Sequence, residues 1–131
     1  KYRFGGVDVE TPLRHHHGVE TYGFNFRAGG RSVAYVADTK YFEALASTYR
    51  ADLMIVCVLT ESPRSYIDHL SVPDAAALIG AARPKAAILT HLGMGLWRGG
   101  PENYAARITE ETGVRVIAAT DGMCFHLSEL D

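Results

Sequence analysis

The nine-residue run ADLMIVCVL, residues 51–59, is the feature that most constrains the fold of this chain. Apart from Asp52 it is continuously apolar, which is typical of a strand that is buried on both faces. Strands of this kind belong to sheets that helices cover. The run therefore predicts an α/β fold if helical patterns flank it in the sequence.

Helical patterns do flank the run. Residues 41–49 carry apolar side chains near helical spacing. Ser71, followed three positions later by Asp74, predicts a capped helix start. Pro101 and Gly113 bracket a further helix. After a β-rich first part, the predicted order is α, β, α, β, α, β, β, which implies a layered α/β fold.

The first part of the chain has β patterns. Residues 7–13 and 22–27 alternate apolar and polar side chains. Gly29 and Gly30 then separate two β-rich stretches, and two glycines supply the positive φ angles of a tight turn. We therefore predict a hairpin at this point, and two further short strands around Asp121 near the end of the chain.

Size and charge narrow the class of function. The 131 residues, 47% of them hydrophobic, suffice for one domain with a buried core, residues 1–131. A net charge of −2 disfavours a dedicated nucleic-acid binder without excluding nucleic acid as a partner. Cys57 and Cys124 lack metal-ligand spacing, so we interpret them as free, buried thiols of a cytoplasmic protein, with a disulfide as the alternative.

The lengths of the apolar runs and the first residues of the chain lead to two further expectations, one about membranes and one about processing. No apolar run reaches 18 residues, so we expect no membrane-spanning helix and no membrane partner. The chain opens on KYRFGG rather than on methionine, and we expect it to be a fragment or a processed chain.

Residues with metal-binding chemistry fall at the predicted strand ends. Asp38 ends one strand, His91 ends another, and His17 lies where a strand-like segment gives way to Gly18. Functional groups of α/β sheets collect at the carboxyl ends of strands. Two imidazoles and a carboxylate suit zinc, iron or manganese. Taken alone, Asp38 is also open to interpretation as a helix N-cap, and each histidine as a hydrogen-bonded loop residue.

Six short stretches carry a resemblance to a known family. In this order and spacing the chain, from about residue 12 to about residue 125, resembles the C-terminal half of a metallo-β-lactamase-fold hydrolase. Within that fold it is most similar to the ribonuclease Z-like and cyclic-phosphodiesterase-like branch. The stretches are HGVETYGF (17–24), VAYVADT (33–39), ADLMI (51–55), HLS (69–71), LTH (89–91) and DGM (121–123).

The resemblance implies a four-layer αββα sandwich with two divalent metal ions between its sheets. Zinc is the expected metal, with manganese or iron as alternatives. This chain would supply a mixed sheet with helices on one face. His17 matches the family's ligand of the first metal, Asp38 the carboxylate that bridges both, and His91 the ligand of the second. His69 matches a histidine that assists the substrate or leaving group, so His69 and Asp38 are the predicted catalytic residues.

The resemblance also distinguishes among the three consecutive histidines. Their run is internal and short, unlike a tag, and Gly23 follows His17 at the family's spacing. His17 is therefore the predicted ligand, and His15 and His16 are neighbours on the approaching segment. Alternation would point His16 away from the side of His17 and His15 toward it.

Two departures from the family bear on function. The motif His-x-His-x-Asp-His is absent from the chain, so the resemblance implies an incomplete metal site in this chain alone. Val56 and Cys57 stand where ribonuclease Z often carries His-Glu, which disfavours tRNA processing.

We predict a metal-dependent hydrolase that acts on phosphodiesters through a metal-bridging hydroxide. One alternative is a thioesterase or lactonase of the same fold. The other is a non-catalytic fragment that needs its other half to bind metal. The expected partners are a small-molecule or phosphodiester substrate and either the N-terminal half of the fold or a second copy of this chain.

Overall fold

One mixed sheet of eight strands organises the computed structural model, which describes every residue from Lys1 to Asp131. In chain order the strands are β1 Tyr2–Phe4, β2 Val7–Glu10, β3 Phe24–Ala28, β4 Arg31–Val36, β5 Leu53–Thr60, β6 Leu70–Ser71, β7 Ala86–Thr90 and β8 Arg115–Ala118. Strands β1 to β4 pair antiparallel as a meander. From β4 the sheet continues in parallel through β5, β7 and β8, and β6 pairs with the end of β5.

Four α-helices connect the parallel strands. They are α1 Ala44–Thr48, α2 Val72–Ala82, α3 Met94–Gly99 and α4 Pro101–Thr112. The helices α1, α2 and α4 and the two-residue hairpin turn at Gly29 and Gly30, between β3 and β4, confirm the sequence predictions. The strands β1 and β6 and the helix α3 were not predicted.

The predicted final strand, after Asp121, is wrong. Beyond β8 the chain turns at Gly122 and ends in a short 3-10 helix, Leu127–Leu130. Leu127 and Leu130 pack on one face of the sheet, against side chains that include Leu53 and Ile88. The segment therefore crosses the sheet face to bury its leucines and does not add a strand at the edge.

The two faces of the sheet are covered to different extents. All four helices pack on one face, where 22 buried residues form the main core. On the other face a smaller cluster has four buried residues, one of which is Leu130, while Tyr35, Ile55 and Ile117 are half-buried. The predicted half-sandwich, a mixed sheet with helices on one face, is confirmed.

The start of α2 is fixed by a reciprocal cap. The Ser71 hydroxyl accepts a hydrogen bond from the Asp74 backbone N–H, and the Asp74 carboxylate accepts from the Ser71 backbone N–H at 3.0 Å and from its hydroxyl at 2.8 Å. This capping box satisfies N–H groups that the first helical turn leaves without partners.

Both cysteines are free and Cys57 is buried, as expected, but the expected burial of Cys124 is wrong, because Cys124 is exposed. None of the helices is both long enough and apolar enough to cross a membrane.

Replacing Ser71 with alanine tests the cap. Ser71 is fully buried, so Ser71→Ala leaves an orphaned N–H group at the helix start. We expect the free energy of unfolding to fall by about 1–2 kcal/mol in urea denaturation. Ser47→Ala, at an exposed position of α1, is the control and should change stability by less than about 0.5 kcal/mol. Equal losses in the two variants would contradict a stabilising cap.

Candidate metal centre

Four side chains meet at the edge of the sheet where the parallel strands end. Asp38 lies two residues after β4, His91 directly follows β7, and His69 directly precedes β6. His17 lies in the loop between β2 and β3. Because β4 and β7 both run parallel to β5 and flank it, their carboxyl ends bring Asp38 and His91 to the same edge.

The Asp38 carboxylate is the centre of this cluster. Its Oδ2 lies 3.9 Å from His17 Nε2. Its Oδ1 lies 3.6 Å from His69 Nδ1 and 3.4 Å from His91 Nε2. The two oxygens of one carboxylate thus face different imidazoles, an arrangement that suits a carboxylate shared between two cations.

The structure brings together all four residues predicted for the site. The predicted ligand set was His17, Asp38 and His91, but the tightest group contains His69 in place of His91. Ligand atoms of His17, Asp38 and His69 lie within 4.8 Å of one another. His91 approaches Asp38 from a more open position, with 48% of its side chain exposed against 18% for His69. It also adopts a φ of 57°, in the left-handed region. The individual roles of these residues as ligands or catalysts stay predictions.

The surroundings of His69 favour the neutral form of its imidazole. Burial lowers the pKa of the His69 imidazole, the Asp38 carboxylate acts in the opposite direction, and the neighbouring imidazoles of His17 and His91 lower it further. Only a neutral imidazole can donate a lone pair to a metal ion. Imidazole nitrogens around one carboxylate fit zinc or a similar transition metal, whereas calcium and magnesium prefer oxygen ligands alone.

Of the three consecutive histidines, His17 alone belongs to the cluster. His16 is exposed, and its ring stacks on Phe42 with centroids 3.9 Å apart. His15, expected on the side of His17, turns into the core and is only 3% exposed. There its Nε2 lies 2.7 Å from the Tyr49 hydroxyl. Sequence reasoning missed this contact, and no local pattern indicates it.

A cleft of about 260 Å³ opens beside His91. Trp97 and Asp121 line it, together with Thr90, Leu92, Ala119 and Thr120. Trp97 is 47% exposed, whereas the adjacent Leu96 is 1% exposed and belongs to the core. The helix α3 is thus held by Leu96 and presents the Trp97 indole next to the cluster.

Residues 2–92 match the family model described as the beta-lactamase superfamily domain, and the chain belongs to this family. No curated protein sequence matches the chain.

Solved structures share the metallo-beta-lactamase fold. The protein YhfI from Bacillus subtilis is 22% identical, with a TM-score of 0.82 over 93% of this chain and 50% of that chain. A diphosphatase from the PhnP family is 19% identical, with a TM-score of 0.69 over 96% of this chain and 46% of that chain. The short form of human tRNase Z is 17% identical, with a TM-score of 0.67 over 96% of this chain and 45% of that chain. The chain spans about half the length of these structures.

Alanine variants of His17 and His16 test which histidine binds metal. We expect His17→Ala to weaken zinc affinity by at least about 10-fold, the lower end of the loss seen when even a supporting group is removed. His16→Ala removes only the stacking on Phe42 and should retain zinc. Zinc content after desalting is measured by mass spectrometry, with circular dichroism to verify folding. Equal losses would show that the wrong histidine has been assigned.

Proposed function

We propose that the protein is a hydrolase that uses divalent metal ions to cleave phosphodiesters. The observation that carries the proposal is the convergence of His17, His69 and His91 on the two oxygens of Asp38. The side chains of His17, His69 and Asp38 are largely withdrawn from water, and burying polar groups costs free energy unless they gain partners. Metal binding would provide the partners that these side chains lack, and membership of the beta-lactamase superfamily supports a metal-binding role.

We propose that His17, Asp38 and His91 bind two divalent metal ions. Zinc is the preferred metal, with manganese or iron as alternatives. Divalent ions, when bound, lower the pKa of water and neutralise the charge of a phosphate group. Asp38 orients the site, since one of its oxygens faces His17 and the other faces His91.

His69 is the proposed catalytic side chain beside the ions. Its Nδ1 faces the Asp38 carboxylate, so Nε2 is the ring nitrogen left to the substrate, and the protonated ring would donate from Nε2 to a phosphate oxygen or pass that proton to the leaving oxygen. Burial lowers the pKa of His69, which makes its protonated ring a stronger acid toward the leaving oxygen.

Two structural neighbours support phosphorus as the reacting centre, because one is a diphosphatase and the other a tRNase. The cleft beside His91 provides room for an organic group attached to that phosphate. The exposed Trp97 indole offers this group a stacking surface, and base–aromatic stacking contributes about 1–3 kcal/mol. We therefore propose nucleoside or aryl phosphodiesters as substrates.

Turnover of bis(p-nitrophenyl) phosphate and of 2′,3′-cyclic nucleotides by the zinc- or manganese-loaded full-length protein tests the reaction class, because the family resemblance implies that this chain alone supplies only part of the metal site. We expect hydrolysis of both, and a loss of at least about 100-fold in kcat for Asp38→Asn, the scale of one general-base or electrostatic contribution. Turnover of thioesters or lactones without any phosphodiester hydrolysis would favour the alternative chemistry of the fold. Fewer than one metal ion bound per chain would favour the non-catalytic alternative.

The stacking role of Trp97 has its own spectroscopic test. Trp97 is the single tryptophan of the chain, so the intrinsic fluorescence at 295 nm excitation reports on this cleft alone. Adenosine monophosphate should quench the fluorescence of the zinc-loaded chain, while ribose 5-phosphate, which lacks the base, should not. Equal responses to the two ligands would contradict base stacking in the cleft.

A further inference from the structure

His15 connects the core to the backbone of Asp38. Its Nδ1 lies 3.3 Å from the Asp38 carbonyl oxygen and its Nε2 lies 2.7 Å from the Tyr49 hydroxyl. A carbonyl oxygen can only accept, so Nδ1 carries the proton and Nε2 accepts from the tyrosine. We call this arrangement, Tyr49 hydroxyl to His15 ring to Asp38 carbonyl, the His15 bridge.

The two segments that the His15 bridge joins are held together at further points. The His16 backbone N–H donates to the Thr39 hydroxyl at 3.1 Å. The Lys40 backbone N–H donates to the His16 carbonyl at 2.9 Å. Thr39 is fully buried. The segment that leads into His17 therefore lies directly against the segment that carries Asp38.

The far end of the His15 bridge is fixed in the core. Tyr49 is fully buried, and its ring meets the His15 ring edge-on with centroids 5.5 Å apart. Gly23 leaves room for it, since a Cβ at Gly23 would come within 2.6 Å of the Tyr49 hydroxyl and 2.4 Å of the Tyr35 carbonyl. The tyrosine hydroxyl thus occupies the space of a missing side chain and cannot move toward Gly23.

We propose that His15 is a positioning residue that sets the spacing between the His17 imidazole and the Asp38 carboxylate. Asp38 presents its carbonyl to His15 and its carboxylate to His17, so a shift of the carbonyl would alter the 3.9 Å approach of Oδ2 to His17 Nε2. The inference rests on the proposed function, because it requires His17 and Asp38 to bind metal. Mutating groups that orient metal ligands typically costs about 10- to 100-fold in metal affinity.

Two amide substitutions separate the ends of the His15 bridge. The side-chain nitrogen of asparagine reaches about as far as ring Nδ1 and donates as Nδ1 does, and the side-chain oxygen of glutamine reaches about as far as ring Nε2 and accepts as Nε2 does. His15→Asn therefore keeps a donor for the Asp38 carbonyl, while His15→Gln keeps only a group for Tyr49. His15→Leu fills the space and keeps neither contact.

Zinc affinity is measured by competition with a chromophoric chelator, and urea unfolding of each metal-free variant is measured in parallel. We expect His15→Asn to stay within about 3-fold of the parent affinity, and His15→Gln and His15→Leu to lose about 10- to 100-fold. The absorption spectrum of the cobalt-substituted chain should change in the same two variants. Equal zinc affinity in all variants, or losses that only follow stability, would overturn the positioning role.

Thr39→Val provides a second test in case the His15 variants do not fold. It preserves volume and removes the hydroxyl that accepts from His16, so we expect zinc affinity to fall by about 10-fold. Unchanged affinity would count against the proposal. His17→Ala separates this result from the function itself: if that variant also binds zinc normally, the metal centre is wrongly placed and the proposed function fails first.

Discussion

The parallel pairing of β4 and β7 on either side of β5 is the constraint on which the rest of the structure depends. Since the strands run in one direction, the residues that follow them emerge at one edge. Asp38 and His91 are neighbours for this reason, although they are 53 positions apart in the sequence. Reversing either strand would send its polar residue to the opposite edge of the sheet. The apolar run in β5 enforces the arrangement, because it must be covered by a strand on each side and by helices above.

The fold could be predicted where its signals are local. The capping box of α2, the glycine turn between β3 and β4, and the bounds of α4 each lie within a few residues of the structure they determine. The helix α3 was not predicted because two of its six residues are glycines and because it is held by the tertiary contact of Leu96. The terminal segment was misread as a strand because alternation does not reveal whether leucines pair at an edge or pack across a face.

The sequence predicted which residues form the site but not how they are arranged. Strand ends and the family resemblance together pointed to His17, Asp38, His69 and His91, and the structure brings these four together. Neither source indicates that His69 lies in the tightest group or that His15 is buried. The partners of His15 lie 23 and 34 positions away, and within three identical residues no pattern distinguishes a core side chain from an exposed one.

The left-handed backbone conformation of His91 lowers the stability of the fold at a residue that the proposed function requires. A residue other than glycine at a φ of 57° costs on the order of 1–3 kcal/mol, and such residues cluster at functional sites. Selection for thermal stability alone would replace His91 with glycine or asparagine, and would lose the imidazole that faces Asp38. Engineering of a more heat-resistant form should therefore leave this position unchanged and seek its gains in the helical layer, where rigidity and activity do not compete.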